Sequence, residues 1–188
     1  MLSLTDIALL FARRGAEQYS SEPVTQLEHA LQTAHLAEQS GAGPELITAC
    51  LLHDLGHLLD DLGETPTLRG IDDAHQYCAL PFLHGLFPQG VLDAIRLHVD
   101  AKRYLCQARP AYHARLSADS RRSLQLQGGV FDPEQAAAFI ALAAAKDAVM
   151  LRQWDDLAKQ ADWRTPTLAH FLDIAARCAL PSAQTASP

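Results

Sequence analysis

Apolar residues recur at intervals of three and four along most of the chain, the spacing of one face of an α-helix. The first such run carries Ile7, Leu10 and Phe11, with Thr5 as its N-cap, and should end near Gly15. No alternation of apolar and polar residues, which would indicate strands, continues for more than a few positions. The pattern predicts an all-α fold.

Start and stop signals predict the remaining helices. Thr25 and Glu28 match a capping box that opens a second helix, which should end at residues 41–43. A third should run from Pro44 through Leu55. Later helices should begin near Asp72, near Pro88, at Asp132-Pro133 for an Ala-rich helix that continues through Val149, and near Thr165-Pro166. Residues 105–130 have weak periodicity and many polar groups, which predicts a long functional loop.

Length and composition fit one globular domain over residues 1–180, followed by a disordered tail over 181–188. The 188 residues are 48% hydrophobic, which excludes a disordered chain. A formal net charge of −7 argues against nucleic acid as a partner. No apolar run approaches the roughly 18 residues of a membrane span, and four cysteines without a CxxC pair indicate reduced thiols. We expect a cytoplasmic protein with no membrane partner.

Candidate chemistry begins with the dipeptide His53-Asp54 at the end of an apolar helix. Adjacent helical positions point about 100° apart, so both side chains reach one site only if it lies between their faces, as for a bridged metal pair. The dipeptide alone fits equally a helix-end aspartate beside a hydrogen-bonded histidine. Buried polar side chains are costly unless something binds them, and one metal site would satisfy several together. Four more occur within apolar helical pattern: His29, His75, His98 and Asp147.

The order of these six residues resembles the HD-domain superfamily of α-helical metalloproteins, in the expanded form that binds two metals. The chain is most similar to the mixed-valent di-iron HD-domain oxygenases of the PhnZ type, which cleave organophosphonates. The resemblance covers roughly residues 5–165 and includes residues 24–32, 98–105, 116–129 and 154–156. Simple HD phosphohydrolases lack the stretches at 98–105 and 126–129. The resemblance implies an HD-domain helical bundle with a di-metal centre in its core.

The resemblance also implies a ligand set and a cofactor. One iron would be held by His29, His53, Asp54 and Asp147, and the other by Asp54, His75 and His98, with Asp54 as the bridge. The pair would be Fe(II)/Fe(III), with O₂ as co-substrate. Catalytic roles would fall to His53, Asp54, His57 and Lys102.

Substrate contacts can be assigned in the same way. Lys102 stands four residues after His98, so both lie on one helix face, and its ammonium would bind the phosphonate. Neutral hydrogen bonds to the same oxygens would come from Ser120, Ser123 and Gln127, and the resemblance places His57 near the substrate.

The segment before the second helix completes the predicted site. The resemblance implies that Tyr19 covers the substrate-free iron and that Glu22 binds the substrate's ammonium. A quaternary ammonium offers no N–H and prefers aromatic faces, so Glu22 favours a primary amine. The leading expectation is cleavage of 2-amino-1-hydroxyethylphosphonate to glycine and phosphate.

Other functions stay open at this point. A related oxygenase would act on 1-hydroxy-2-(trimethylammonio)ethylphosphonate, and a metal-dependent HD phosphohydrolase would act on a phosphate ester or nucleotide. A degenerate HD module could serve as a binding scaffold, although a scaffold has no need of six ligands. If the oxygenase reading holds, we expect functional coupling to a 2-oxoglutarate-dependent hydroxylase that supplies the hydroxyphosphonate.

Overall fold

Helices and connecting turns account for the computed structural model, which describes residues 1–60 and 66–181. In these ranges the extended backbone forms only isolated bridges, so the all-α prediction is confirmed. Of the predicted C-terminal tail, all but Pro181 lies outside the described residues. The helices are α1 Leu4–Arg14, α2 Gln26–Gln39, α3 Pro44–Leu52, α4 Leu55–Leu59, α5 His75–Cys78, α6 Leu80–Leu83, α7 Gln89–Ala108, α8 Pro110–Arg115, α9 Ala118–Leu126, α10 Pro133–Ile140, α11 Ala145–Leu157 and α12 Leu168–Cys178.

The core forms where α3 and α7 pack together, with α11 against α7 and with α2 and α12 against α3. Leu51, Ile95, Leu151 and Phe171 meet there and are almost completely buried. Each such side chain stabilises the fold by about 1.5–3 kcal/mol relative to an exposed position. None of the helices in the described ranges has both the length and the apolar character needed to cross a lipid bilayer.

The third helix is shorter than predicted. α3 ends at Leu52, and Asp54 leaves the helical conformation with φ −103° and ψ 13° before α4 begins. The prediction of a continuous helix through Leu55 is therefore wrong. Because of this break, His53 and Asp54 both face the interior, with exposed fractions of 0% and 7%. At the N-terminus, Ser3 caps α1 in place of the predicted Thr5.

Residues 105–126 are mostly helical, contrary to the predicted loop over 105–130. α7 continues to Ala108, and α8 and α9 follow. The side chain of Ser117 caps α9. The apolar period is weak here because α9 turns polar side chains such as Ser120 toward an internal cavity and buries few apolar groups.

Two other predicted helices are divided or shifted. The Ala-rich segment forms α10 and α11, which are separated at residues 141–144. The helix predicted from Asp72 is replaced by α5 and α6, after Ala74 adopts a left-handed conformation with φ 49°. The last helix begins at Leu168, close to the predicted start near Thr165-Pro166, and the side chain of Thr167 caps it.

Gly56 allows α4 to pack directly against the backbone of α5. A Cβ atom at this position would lie 2.2 Å from the carbonyl oxygen of His75. Only glycine permits this approach, which also stacks the His57 ring on the His75 ring at a centroid distance of 4.2 Å.

Gly56→Ala should destabilise the protein by roughly 1–3 kcal/mol, because backbone atoms must move to admit the methyl group. Urea denaturation measures the change. Gly43→Ala is the matched control, since its added methyl group meets no atom within 4 Å. An equal effect of the two substitutions would contradict the close packing at Gly56.

Candidate metal centre

Four buried histidines share one arrangement, in which Nδ1 donates a hydrogen bond to an oxygen atom and Nε2 points to the centre of the bundle. These oxygens only accept hydrogen bonds, so Nδ1 carries the hydrogen and Nε2 carries a lone pair in the neutral ring. Such contacts fix the orientation of metal-binding histidines. The donors and acceptors pair as His29 with the Ala158 carbonyl at 2.8 Å, His53 with Cys50 at 2.8 Å, His98 with Ile95 at 2.7 Å, and His75 with Asp73 Oδ1 at 2.7 Å.

The inward nitrogens form two close pairs. His29 Nε2 and His53 Nε2 lie 3.2 Å apart, and His75 Nε2 and His98 Nε2 lie 3.0 Å apart. Two lone pairs at this distance repel each other unless a cation lies between them. Metal–nitrogen bonds of about 2.0–2.1 Å at right angles would place the nitrogens roughly 3 Å apart. Both pairs therefore fit a metal ion.

Asp54 lies between the two pairs and offers one carboxylate oxygen to each. Oδ2 is 3.3 Å from His53 Nε2 and 3.5 Å from His29 Nε2. Oδ1 is 3.3 Å from His75 Nε2 and 3.7 Å from His98 Nε2. Burial alone would raise the pKa of Asp54, but His53 and His75 hold it well below its usual value. The carboxylate is thus a buried anion with the geometry of a bridge between two cations.

Asp155 completes the first histidine pair, and Asp147 does not. Asp155 Oδ1 lies 3.4 Å from His29 Nε2, and Arg152 contacts the other oxygen at 2.8 Å. Asp147 is exposed, about 12 Å earlier along α11. The prediction of Asp147 as a ligand is therefore wrong. The interruption of the helix at residues 141–144 changes which face of the Ala-rich segment is buried. Three groups in the described residues could hold a metal ion. The first is His29, His53 and Asp155, and the second is Asp54, His75 and His98. The third, His57, Asp73 and His75, shares His75 with the second.

Asp73 links His57 to the second group, a role that the sequence analysis missed. Its Oδ2 lies 3.1 Å from His57 Nδ1, and its Oδ1 accepts from His75. Burial opposes ionisation of Asp73, yet the contacts with His57 and His75 hold its pKa far below the usual value. His57 Nε2 lies 3.9 Å from Asp54 Oδ1, at the edge of the site. The position of Asp73, two residues before His75, was the available signal.

Tyr19 covers the first group, where the family resemblance led us to expect it. Its hydroxyl donates to Asp54 Oδ2 at 2.8 Å. Its ring stacks on that of His29, with centroids 3.9 Å apart and an interplanar angle of 12°. Burial, together with the charges of Asp54 and Asp155, raises the pKa of Tyr19, so the hydroxyl keeps its proton.

A cavity of about 530 Å³, its open mouth included, lies above both groups. Lys102 is 2% exposed, and its Nζ donates to Ser123 Oγ at 2.8 Å. Burial, helped by the nearby charge of Arg152, lowers the pKa of Lys102 to about 7. The buried side-chain oxygen of Gln127 has no hydrogen-bond partner among the described residues. The cavity brings together the predicted substrate-binding residues Tyr19, Glu22, His57, Lys102, Ser120, Ser123 and Gln127.

Two cations in this cavity were not predicted. The first, Arg152, forms ion pairs with Asp155 and Asp156, and its guanidinium lies 3.4 Å from Ser120 Oγ. The second, Lys159, follows α11 and lies 3.4 Å from Glu22 Oε1. Both residues lie within five positions of Asp155. Because Asp147 was predicted in place of Asp155, neither residue was predicted to lie in the site.

Sequence comparison relates the chain to HD-domain proteins and to dioxygenases that act on phosphonates. The HD domain family model matches residues 27–141. The chain is 42% identical over 168 residues to 1-hydroxy-2-(trimethylamino)ethylphosphonate dioxygenase (glycine-betaine-forming) of Leisingera caerulea, covering 89% of this chain and 86% of that protein. It is 43% identical over 156 residues to hydroxymethylphosphonate dioxygenase of Gimesia maris, covering 82% and 78%. Both names describe dioxygenases of phosphonates that carry a hydroxyl group.

Asp155→Asn should remove one metal ion per chain, because the first group loses its own carboxylate. Asp147→Asn is the matched control and should leave the metal content unchanged, since its side chain faces solvent. Elemental analysis after dialysis measures both variants. Loss of metal from the Asp147 variant alone would restore the original assignment.

Lys102→Met should stabilise the metal-free protein at pH 6. The pKa of about 7 in the folded state lies below the ordinary 10.5, so the native state binds this proton more weakly than the unfolded chain does. The resulting penalty is complete below pH 7 and fades as the pH rises toward 10.5. We expect a gain of about 2–5 kcal/mol at pH 6 and a smaller gain at pH 9, by urea denaturation.

Lys146→Met, at an exposed position of α11, is the control and should show no such difference. If the Lys102 variant were no more stable than wild type at pH 6, the buried ammonium would carry no desolvation penalty.

Proposed function

The chain belongs to the HD-domain family, as an oxygenase of the PhnZ type, and on this premise we propose that it uses O₂ to cleave the C–P bond of a small 1-hydroxyphosphonate. The observation that carries the proposal is the bridging position of Asp54, with one oxygen toward each histidine pair, below a cavity lined by Lys102. We propose two iron ions as the metals, because imidazole and carboxylate without thiolate suit iron. The candidate ligands are His29, His53, Asp54 and Asp155 for one ion, and Asp54, His75 and His98 for the other.

The proposed reaction conserves atoms and electrons. The C–H and C–P bonds of the hydroxyl-bearing carbon break, and that carbon becomes a carboxylate while phosphorus leaves as phosphate and one proton is released. O₂ accepts the four electrons of these two bonds and supplies one oxygen atom to each product. Iron, when bound, supplies the redox chemistry for O₂; the protein's side chains bind and orient the phosphonate.

We assign the phosphonate group of the substrate to the part of the cavity around Lys102. A dianion beside its Nζ would favour the ammonium form, because opposite charges stabilise each other strongly away from water. Ser123 already contacts this ammonium, and Ser120 lies on the same face of α9 one turn earlier. Gln127 lines the same cavity, and its side-chain NH₂ is the end that would donate to the phosphonate, because its oxygen can only accept.

The hydroxyl end is assigned to the opposite side, near Asp54. His57 is oriented by Asp73 and lies close to Asp54 Oδ1, so it can accept a proton from a bound hydroxyl. Tyr19 donates to Asp54 Oδ2 and must release that hydrogen bond if substrate takes its place. We propose that Tyr19 covers the site in the absence of substrate and that His57 acts on the hydroxyl proton.

The substrate must arrive already hydroxylated, because the proposed cleavage does not introduce the hydroxyl group. A hydroxylase of phosphonates, such as a 2-oxoglutarate-dependent enzyme, is the class of reaction that would supply it. The two named relatives differ in the substrate that their names give. One substrate has a cationic substituent on the hydroxyl-bearing carbon, and the other has no substituent there. The expected preference for 2-amino-1-hydroxyethylphosphonate depends on whether Glu22 is available to an amine.

Oxygen dependence tests the proposal. The iron-loaded protein should release one phosphate from a 1-hydroxyphosphonate for each O₂ consumed, because both products take an oxygen atom from the same molecule. An oxygen electrode and a phosphate assay on the same sample give the ratio, with an anaerobic sample as the control. Phosphate release that continues undiminished without O₂ would support a hydrolase instead.

A further inference from the structure

Lys159 occupies the end of the cavity that the sequence analysis had assigned to a substrate amine. Its Nζ lies 3.4 Å from Glu22 Oε1 and 3.5 Å from Ser120 Oγ. The same nitrogen lies 5.8 Å from the centroid of the Tyr19 ring, within cation–π distance. Glu22 therefore has a cationic partner supplied by the protein itself.

The backbone on both sides of Lys159 is fixed by contacts with α2. The Ala158 carbonyl accepts the hydrogen bond from His29 Nδ1 at 2.8 Å. Gln32 donates to the Gln160 carbonyl at 2.8 Å and accepts from its N–H at 3.1 Å. A shift of Lys159 away from the cavity would disturb the orientation of a candidate metal ligand. The backbone at Lys159 is thus held by the contacts that also orient His29, and the contacts of Nζ with Glu22 and Ser120 place the ammonium.

A cationic substituent would meet unfavourable charge at this end of the cavity. It would have to displace Lys159 from Glu22, or lie beside a second ammonium in a poorly solvated space, where repulsion is stronger than in water. The carboxylates of Asp155 and Asp156 do not relieve this, because Arg152 already balances their charge. A hydrogen atom or other small neutral substituent meets neither cost.

We propose that Lys159 is a specificity-determining residue that neutralises Glu22 and directs the enzyme to 1-hydroxyphosphonates without a cationic substituent. This inference rests on the proposed function, since it names the substrate class of the same site. It reverses the amine preference expected from Glu22 alone. Rejection by an unfavourable charge is a general route to specificity.

The test compares two substrates, hydroxymethylphosphonate and 2-amino-1-hydroxyethylphosphonate, in iron-loaded protein. Wild type should have the higher kcat/KM for hydroxymethylphosphonate. Lys159→Met removes the charge while keeping much of the side-chain length, and should raise kcat/KM for the aminophosphonate, shifting the ratio of the two values at least tenfold toward it. Lys159→Arg keeps the charge and should keep the wild-type order.

Glu22→Gln, added to Lys159→Met, separates charge from shape. If the freed carboxylate binds the amine, this double variant should lose the gain, and the coupling between the two sites should differ between the two substrates. Metal content by elemental analysis shows whether each variant retains its ions. Anaerobic titration calorimetry on wild type gives the order of the two affinities without relying on any substituted protein.

The outcomes distinguish this inference from the proposed function. If neither phosphonate nor any other 1-hydroxyphosphonate is cleaved with O₂, the proposed function fails. If cleavage occurs but wild type prefers the aminophosphonate by both kcat/KM and affinity, only the role of Lys159 is overturned. An equal loss on both substrates in Lys159→Met would also overturn it, since Lys159 would then bind the shared phosphonate.

Discussion

Asp54 places one buried negative charge between two pairs of histidine nitrogens, and much of the surrounding structure serves to hold it there. The carboxylate needs cations on both sides, because an isolated buried anion is costly. The break between α3 and α4 turns Asp54 inward beside His53. Gly56 then lets the backbone of His75 approach from the other side. A local departure from helical geometry thus creates the two-sided environment that a bridged metal pair requires.

The cavity above the metal centre has the opposite requirement. It must attract an anion, and it does so with a lysine whose burial disfavours its charge, so Lys102 has a lowered pKa of about 7. The buried ammonium of Lys102 lowers the free energy of unfolding of the ligand-free protein, and binding of an anion would compensate for this. Arg152 differs, because Asp155 and Asp156 neutralise it and it contributes more to orientation than to net charge. Active sites commonly combine such unfavourable and balanced charges in one pocket.

The sequence was most informative where a residue type and its local spacing both have a chemical meaning. The histidines His29, His53, His75 and His98 stood out because neutral polar groups in apolar helices need partners, and all four meet at the centre. The end of the third helix could not be predicted, since the sequence around Asp54 has no glycine or proline before the turn to mark it. Asp147 was chosen because apolar residues lie around it in the Ala-rich segment, whereas only packing against α2 shows that Asp155 is the buried aspartate. The polar face of α9 was mistaken for a loop because its partner is a cavity.

The contacts of Lys159 could not be predicted from the sequence, for a related reason. Its pairing with Glu22 joins residues 137 positions apart, and the segment after α11 carries no motif that predicts it. Helical periodicity describes one element at a time, whereas charge balance in a pocket depends on several elements at once. The family resemblance therefore implied that Glu22 binds a substrate amine, but it did not imply the ammonium of Lys159 beside it.

The distribution of the metal-site residues along the chain has a consequence for how the protein is assembled. His29 is oriented by the carbonyl of Ala158, 129 residues later, and its carboxylate neighbour Asp155 comes from α11, which ends just before Ala158. Closing so long a loop is entropically unfavourable until hydrophobic packing compensates for it. The first histidine pair therefore gains its full coordination environment only after α11 has docked on α2. During synthesis, a nascent chain that ends before residue 155 lacks both Asp155 and the Ala158 carbonyl, so the first group is completed only when the last fifth of the chain has been made.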